Sequence, residues 1–310
     1  MLFEVIYLLA VLQQLLILYI FIFLGWAFGK RKPALAETDI LSFLLVNLML
    51  PCKVFQSFAG NFSVSYVKEN YMTFVISISL LLLLVVLSKV LARCMTKHPY
   101  EQRVFRYSFA IANYAYLGYV LIENLFGDEG LANMILFCIP FAFYTYSFGY
   151  ALLTGKGATF KKLINPMTIA IFLGMLFGLF GITIPSILTP VLQMSSACVG
   201  PLSMLLTGIV LSSFNVKELL TNGKAYIFTV LRLMVLPLLV FGFCKLLGLF
   251  ITLPQAVFPY AVFMACMPCG LNTVVFPKLV GEDCRLGAQL AFVSCIASLV
   301  SLPLWIHFLT

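Results

Sequence analysis

Two short stretches of this chain interrupt long apolar runs with residues able to hold a ligand: Asn113-Tyr-Ala-Tyr-Leu-Gly118 and Cys266-Met-Pro-Cys-Gly-Leu-Asn272. Proline lacks a backbone donor and clashes with the preceding turn, and glycine lets a chain leave helical geometry. Within a membrane, an interrupted helix is tolerated only where protein or a wet cavity satisfies the freed backbone groups. Gly118, Pro268 and Gly270 supply the breaks, Asn113 and Asn272 add side-chain donors and acceptors beside them, and Tyr114 and Tyr116 are candidate walls. For either break alone the plainer reading is a kinked helix whose asparagine bonds a neighbour. Taken as a pair, they point to a binding site. Arg232 joins them, because a cation eight residues beyond Lys224, inside an apolar run, needs a cavity or a partner. Lys53, two residues after Pro51, is similar, although a lysine near a helix end can also snorkel to the interface. The two cations, with few acidic residues at depth, favour an anionic ligand; Glu123 falls near an outer helix end. Half-helix N-termini at such breaks suit carboxylates in the same way.

Other chemistry finds less support. Cys266-Met-Pro-Cys269 has the spacing of a soft-metal or redox pair. Against that stands the role of cysteine as a small apolar packing residue, and the nine cysteines are scattered along the chain without a secreted-domain framework. No His-Glu-x-x-His pair occurs, His98 and His307 lie near helix ends, and Gly155-Lys-Gly157 lacks the spacing of a phosphate-binding loop. The expectation is therefore a protein that is not an enzyme and carries no cofactor or metal. Any uphill work would draw on an ion gradient, H+ or Na+, or on the substrate's own gradient.

The elements that must position these residues are membrane helices. Of 310 residues, 63% are hydrophobic and only 10% charged, against about 25% charged in soluble domains. A folded surface in water needs more polar side chains than this. The apolar residues come in blocks of about 20, the length that spans about 30 Å of hydrocarbon as a helix. Residues 80–87 form an unbroken apolar run, which excludes the alternating pattern of a membrane β-barrel. Ten spans are predicted, at 5–28, 39–59, 71–92, 103–126, 131–154, 165–183, 186–212, 225–249, 255–280 and 285–309. The first has no basic leader and is followed directly by Lys30-Arg31-Lys32, so it reads as a retained span rather than a signal peptide.

Basic residues orient the chain. All but four of the 19 lysines and arginines fall at alternate loops: Lys30 to Lys32, Lys89 to Arg106, Lys156 to Lys162, Lys217 with Lys224, and Lys278 with Arg285. The rule that cytoplasmic loops are positive then places both termini outside the cytoplasm. The +8 net charge is thereby absorbed by orientation, and no nucleic-acid surface is expected.

An internal repeat divides the chain. Gln102-Arg-Val-Phe-Arg-Tyr107 opens span four and Gln255-Ala-Val-Phe-Pro-Tyr260 opens span nine; Phe126-Gly-Asp-Glu-Gly-Leu-Ala132 is answered by Val280-Gly-Glu-Asp-Cys-Arg-Leu-Gly-Ala288. The units are residues 1–154 and 165–310, joined by a cytoplasmic linker at 155–164. Five spans is an odd number, so the second unit enters the membrane in the opposite sense, as in secondary transporters with a site at the repeat interface. An old duplication kept for stability is the plainer alternative.

The order of motifs resembles the auxin efflux carrier family, which includes plant PIN-type carriers and bacterial malonate-type transporters. The carrying residues are Asn47-Leu-Met-Leu-Pro51, Asn113 to Gly118 with Phe126-Gly127, Asn165-Pro166, Gly200-Pro201-Leu202 with Gly208, Met267-Pro268 with Gly281-Glu-Asp283, and Ser301-Leu-Pro303. The resemblance covers essentially the whole chain. It implies an all-α membrane protein of ten transmembrane helices in an inverted five-plus-five repeat, with broken spans four and nine crossing at their breaks. It also implies a scaffold of spans one, two, six and seven beside an elevator-like transport domain of spans three to five and eight to ten. Three departures matter: span four has no proline at its break, span three has no acidic residue for the carboxylate–lysine relay of some plant members, and their long cytoplasmic loop is absent.

The expected function is secondary, alternating-access transport of a small organic anion, a di- or monocarboxylate, across the cytoplasmic membrane. The partners are that anion, the lipid bilayer and, as an open alternative, a second copy in a homodimer. A sodium-coupled carrier of the bile-acid type, or a sensor or channel on the same architecture, stands beside it.

Overall fold

The computed structural model describes residues 2–32, 39–155, 164–251, 253, 257–278 and 280–309, with side chains from Leu12 onward. The apolar blocks are helical throughout: α1 (Leu2–Arg31), α2 (Ile40–Asn61), α3 (Val64–Met95), α4 (Pro99–Ala110), α5 (Tyr114–Thr154), α6 (Pro166–Phe180), α7 (Leu188–Ser212), α8 (Val216–Leu220), α9 (Gly223–Gly248), α10 (Val257–Cys266), α11 (Asn272–Lys278) and α12 (Arg285–Leu309). Large apolar side chains face outward on these helices, among them Phe23, Phe43, Leu82, Phe148, Phe172 and Val300. Such a surface belongs in lipid.

Local chemistry fixes the ends. The Ser63 hydroxyl accepts from the Tyr66 amide and starts α3. Asn165 and Thr168 form a reciprocal capping box at α6, with Pro166 in its first turn and Gly181 closing it at φ 61°. Widened π-helical turns lie just before Pro51 and Pro237, at Leu45–Met49 and Leu231–Val235. A proline withdraws a donor from the ladder four residues back. At α9 the carbonyl so released is that of Leu233, and the Trp305 indole of α12 donates to it at 2.7 Å.

Among the described residues seven helices are long and apolar enough to cross a membrane, fewer than the ten expected spans. Span six is only 15 residues long, at Pro166–Phe180. Span four is divided between α4 and α5, and span nine between α10 and α11. The rest of span four runs into span five as one helical stretch of 41 residues, about 60 Å if straight. It is not straight. Gly127 has φ 68° and ψ −166°, and beyond it the chain returns: a Cβ on Gly118 would lie 3.9 Å from the Met134 side chain. Of the linker 155–164, residues 156–163 lie outside the described residues, as do Gln255 and Ala256 of the second repeat motif.

Two helix pairs approach each other closely through paired glycines. On α1, Cβ atoms at Gly25 and Gly29 would sit 2.1 Å from the Leu205 carbonyl oxygen and 1.9 Å from Ser212 Oγ of α7. On α6, those at Gly174 and Gly178 would sit 2.9 Å and 2.3 Å from the carbonyl oxygens of Phe55 of α2 and of Phe62, the residue that closes it. Both are Gly-x-x-x-Gly faces, the small-residue solution to packing helices without hydrophobic drive.

Polar ends of several helices meet one another. Lys30 donates to the Phe214 carbonyl, Lys224 pairs with Glu101 at 2.6 Å, Arg103 with Glu282 at 3.8 Å, and the Tyr100 hydroxyl donates to the Asp283 carbonyl. The loops predicted to share a side therefore do meet, where Lys156 to Lys162 are concerned excepted, since these lie outside the described residues.

Candidate functional site at the helix breaks

The two breaks touch. Residues 111–113 and 267–271 leave helical geometry and run past each other: the Asn113 amide donates to the Pro268 carbonyl at 2.9 Å, and Ala112 and Cys269 form an antiparallel bridge. Gly270 packs on the facing strand of backbone: a Cβ there would meet the Ala112 carbonyl oxygen at 3.4 Å, in ordinary van der Waals contact. The Cys269 amide donates to Ser294 Oγ at 3.0 Å, which ties the crossing to α12.

Four half-helix ends converge here, and their polarity differs. The C-terminal ends of α4 and α10 both point at Arg232, which is wholly buried. Its guanidinium donates to the carbonyls of Phe109 at 2.7 Å, Met267 at 3.2 Å and Met264 at 3.4 Å. Each helix C-terminus carries roughly half a negative charge, so two of them offset about one cation. Arg232 thus meets its partners in the backbone.

The other predicted residues are distributed around the crossing. The Asn113 carbonyl accepts from the amides of Leu117 and Gly118, at 3.3 and 3.1 Å, across the widened turn Tyr114–Gly118 that starts α5. Tyr114 and Tyr116 are buried; the Tyr114 ring packs edge-on against Tyr119 at 5.8 Å, and the Tyr116 carbonyl accepts from Ser203 of α7 at 3.4 Å. Asn272, half-buried, donates to the Tyr107 hydroxyl at 3.2 Å. Cys266 and Cys269 direct their thiols at the carbonyls of Phe263 and Gly270, contacts of packing residues. No group of metal-ligating side chains occurs among the described residues.

Two cavities, of about 420 Å³ and about 690 Å³, are lined by neither break and by none of the residues predicted to form the site there. Neither is lined by Arg232. The smaller sits between α1, α2, α5 and α7 and is walled by Gln14, Gln56, Asn124, Gln193 and Ser196; both are lined by Lys53 and Glu123. The Lys53 ammonium is bonded to the Glu123 carboxylate, so it does not snorkel. Helix ends taken one at a time do not give this pair. The signal in the sequence is charge: each is an ionisable residue in an apolar span, Lys53 two residues after Pro51 and Glu123 five after Gly118.

A family model described as membrane transport protein matches the chain twice, over residues 10–163 and 158–306. The chain is 29% identical over 201 residues to an uncharacterized transporter of Methanothermobacter thermautotrophicus, covering 63% of this chain and 64%, less than two thirds, of that relative. It is 26% identical over 311 residues to an uncharacterized transporter of Methanocaldococcus jannaschii, covering 95% of this chain and 97% of the relative.

Proposed function

Because the chain belongs to the membrane transport protein family, that of the auxin efflux carriers, and is a transport protein rather than an enzyme, we propose that it is a secondary carrier moving a small organic anion by alternating access across the cytoplasmic membrane. The observation that carries this reading is the contact of the two helix breaks at Asn113 and Pro268. Arg232 occupies the C-terminal ends at the crossing. What it leaves are the N-terminal ends, at Tyr114 of α5 and Asn272 of α11, whose dipoles favour a carboxylate. Asn113, Tyr114, Tyr116, Gly118, Pro268, Gly270 and Asn272 line the binding position in this reading, and Arg232 holds it in shape.

Ten crossings in an inverted five-plus-five repeat are part of the same proposal. The double family match supports it. So does the pairing of Gly25 and Gly29 with α7 and of Gly174 and Gly178 with α2, which an exchange of the two units would interconvert. Residues 1–154 and 165–310 are the repeats, and spans one, two, six and seven the scaffold against which the rest moves. Both termini lie outside the cytoplasm in the same reading, which the basic loops support.

The test is counterflow of radiolabelled malonate and malate, then of monocarboxylates and aromatic acids, in proteoliposomes with and without Na+ and H+ gradients. Exchange-stimulated uptake that is lost in Asn113→Ala and Asn272→Ala, both still folded, is expected; the gradient dependence names the coupling ion. Wild-type exchange in both variants would sink the crossing as the site. Ligand binding without flux would point to a sensor, and flux without counterflow to a channel.

A further inference from the structure

The Lys53–Glu123 pair is built unlike an ordinary surface ion pair. Lys53 is 3% exposed and Glu123 28%, and they reach each other from α2 and α5 across the wall shared by both cavities. Among the described residues lining those cavities Lys53 is the one cation, facing two carboxylates, Glu123 and Asp128. The remaining polar lining of the smaller cavity is amide and hydroxyl: Gln14, Gln56, Asn124, Gln193 and Ser196. Two polar atoms of residues lining the larger cavity have no hydrogen-bond partner, Gln56 Oε1 and Ser57 Oγ, and Ser57, one helical turn beyond Lys53, is more than nine-tenths buried. Buried polar groups seldom stay unpaired, so this wall has bonding capacity to spare for a polar occupant.

We propose that the Lys53 ammonium is a second anion-recognition group of this carrier, in a cavity wall apart from the crossing, where it receives the substrate carboxylate on its way to or from the helix breaks, and that the Glu123 carboxylate is its internal stand-in when no substrate is there. The proposal rests on the organic-anion reading above. Physically, a buried ammonium cannot be left without a counter-charge. Replacing one carboxylate by another keeps the buried charge constant, whereas adding an anion elsewhere in the cavity does not. Glu123, the more exposed partner, is the one able to turn toward water. The exchange also has a mechanical meaning: the pair ties α2, in the scaffold, to α5, in the part that moves. Substrate that displaces Glu123 unties them, so the loaded carrier is free to move and the empty one is held.

A structural pair and a competing one predict opposite results. In the counterflow assay with the carboxylate panel, Lys53→Gln should raise KM by about tenfold or more, as removal of one partner of a buried charge pair does. Glu123→Gln should lower KM several-fold, because the substrate then has no rival. The double variant Lys53→Gln/Glu123→Gln leaves no charge orphaned, guards against misfolding of the single variant, and should keep the weakened KM. If Lys53→Gln exchanges like wild type, if Glu123→Gln leaves KM unchanged or damages it in parallel, or if the double variant regains the wild-type KM, the inference is overturned while the carrier reading stands. If the folded wild type exchanges no carboxylate in the panel, the carrier reading fails and this inference with it.

Discussion

Arg232 owes its position to backbone chemistry. A broken helix in a membrane must satisfy the last carbonyls of its first half, and no water is at hand to do so. One planar guanidinium with five donors reaches both ends at once, which an ammonium cannot. Arg232→Met should therefore leave the carbonyls of Phe109, Met264 and Met267 unpaired at about 1–3 kcal/mol each. The expected outcome is a large fall in the melting temperature of the purified protein, with Arg232→Lys intermediate; wild-type melting of Arg232→Met would remove the clamp. At the same scale, Glu101 sits at the mouth of α4 beside Lys224 and Thr96. Burial alone would raise its carboxyl, but hydrogen bonds from Lys224 and Thr96 and the Lys224 charge hold it below its ordinary 4.5. A group depressed in the folded state stabilises above its ordinary value and loses that contribution as pH falls through the folded one. Both partners are about a third exposed, so the contribution is below about 1 kcal/mol. Melting followed from neutral pH to below 4.5 should fall less steeply in Glu101→Gln than in wild type; equal slopes would show that the pair contributes nothing.

At the scale of elements, glycine sets how closely helices approach. A Cβ on Gly208 would lie 1.9 Å from the Ile22 carbonyl oxygen, so Gly208→Ala must push α7 off α1. Overpacking of this kind costs about 1–3 kcal/mol, and a lowered melting temperature is expected. Gly60 provides the control on α2: its Cβ would meet nothing within 4 Å, and alanine there should be neutral or stabilising by up to about 1 kcal/mol. If both variants melt alike, close backbone approach is not what joins α1 to α7. Gly127 acts differently. Its φ of 68° and ψ of −166° belong to a region open essentially to glycine, and Gly127→Ala should destabilise the reversal of α5 by about 1–3 kcal/mol although the space around it is free.

At the scale of the whole molecule, the polar side that gathers Lys30, Glu101, Arg103, Lys224, Glu282 and Asp283 is expected to face the cytoplasm. A C-terminal alkaline phosphatase fusion should be active and a C-terminal green fluorescent protein dark; a bright fluorescent fusion would reverse the orientation. The membrane class, the two breaks and the alternation of basic loops were all legible in the chain, because lipid acts on local quantities: the apolar length of a span, the backbone group a proline or glycine frees, the charge of a short loop. Spans four to six depend on more than apolar length. A sequence shows apolar length, whereas a helix that continues to Gly127 and turns back is defined by φ, ψ and the packing of Gly118 near Met134. The Gly-x-x-x-Gly faces of α1 and α6 were in the sequence too, but the facing helices were not. Only the tertiary structure brought Asn113 to Pro268, gave Arg232 to the carbonyls of Phe109 and Met264, and paired Lys53 with Glu123 across 70 residues of chain. Each of these is a contact between distant segments, and its energy depends on burial and distance, neither of which any local stretch of residues determines.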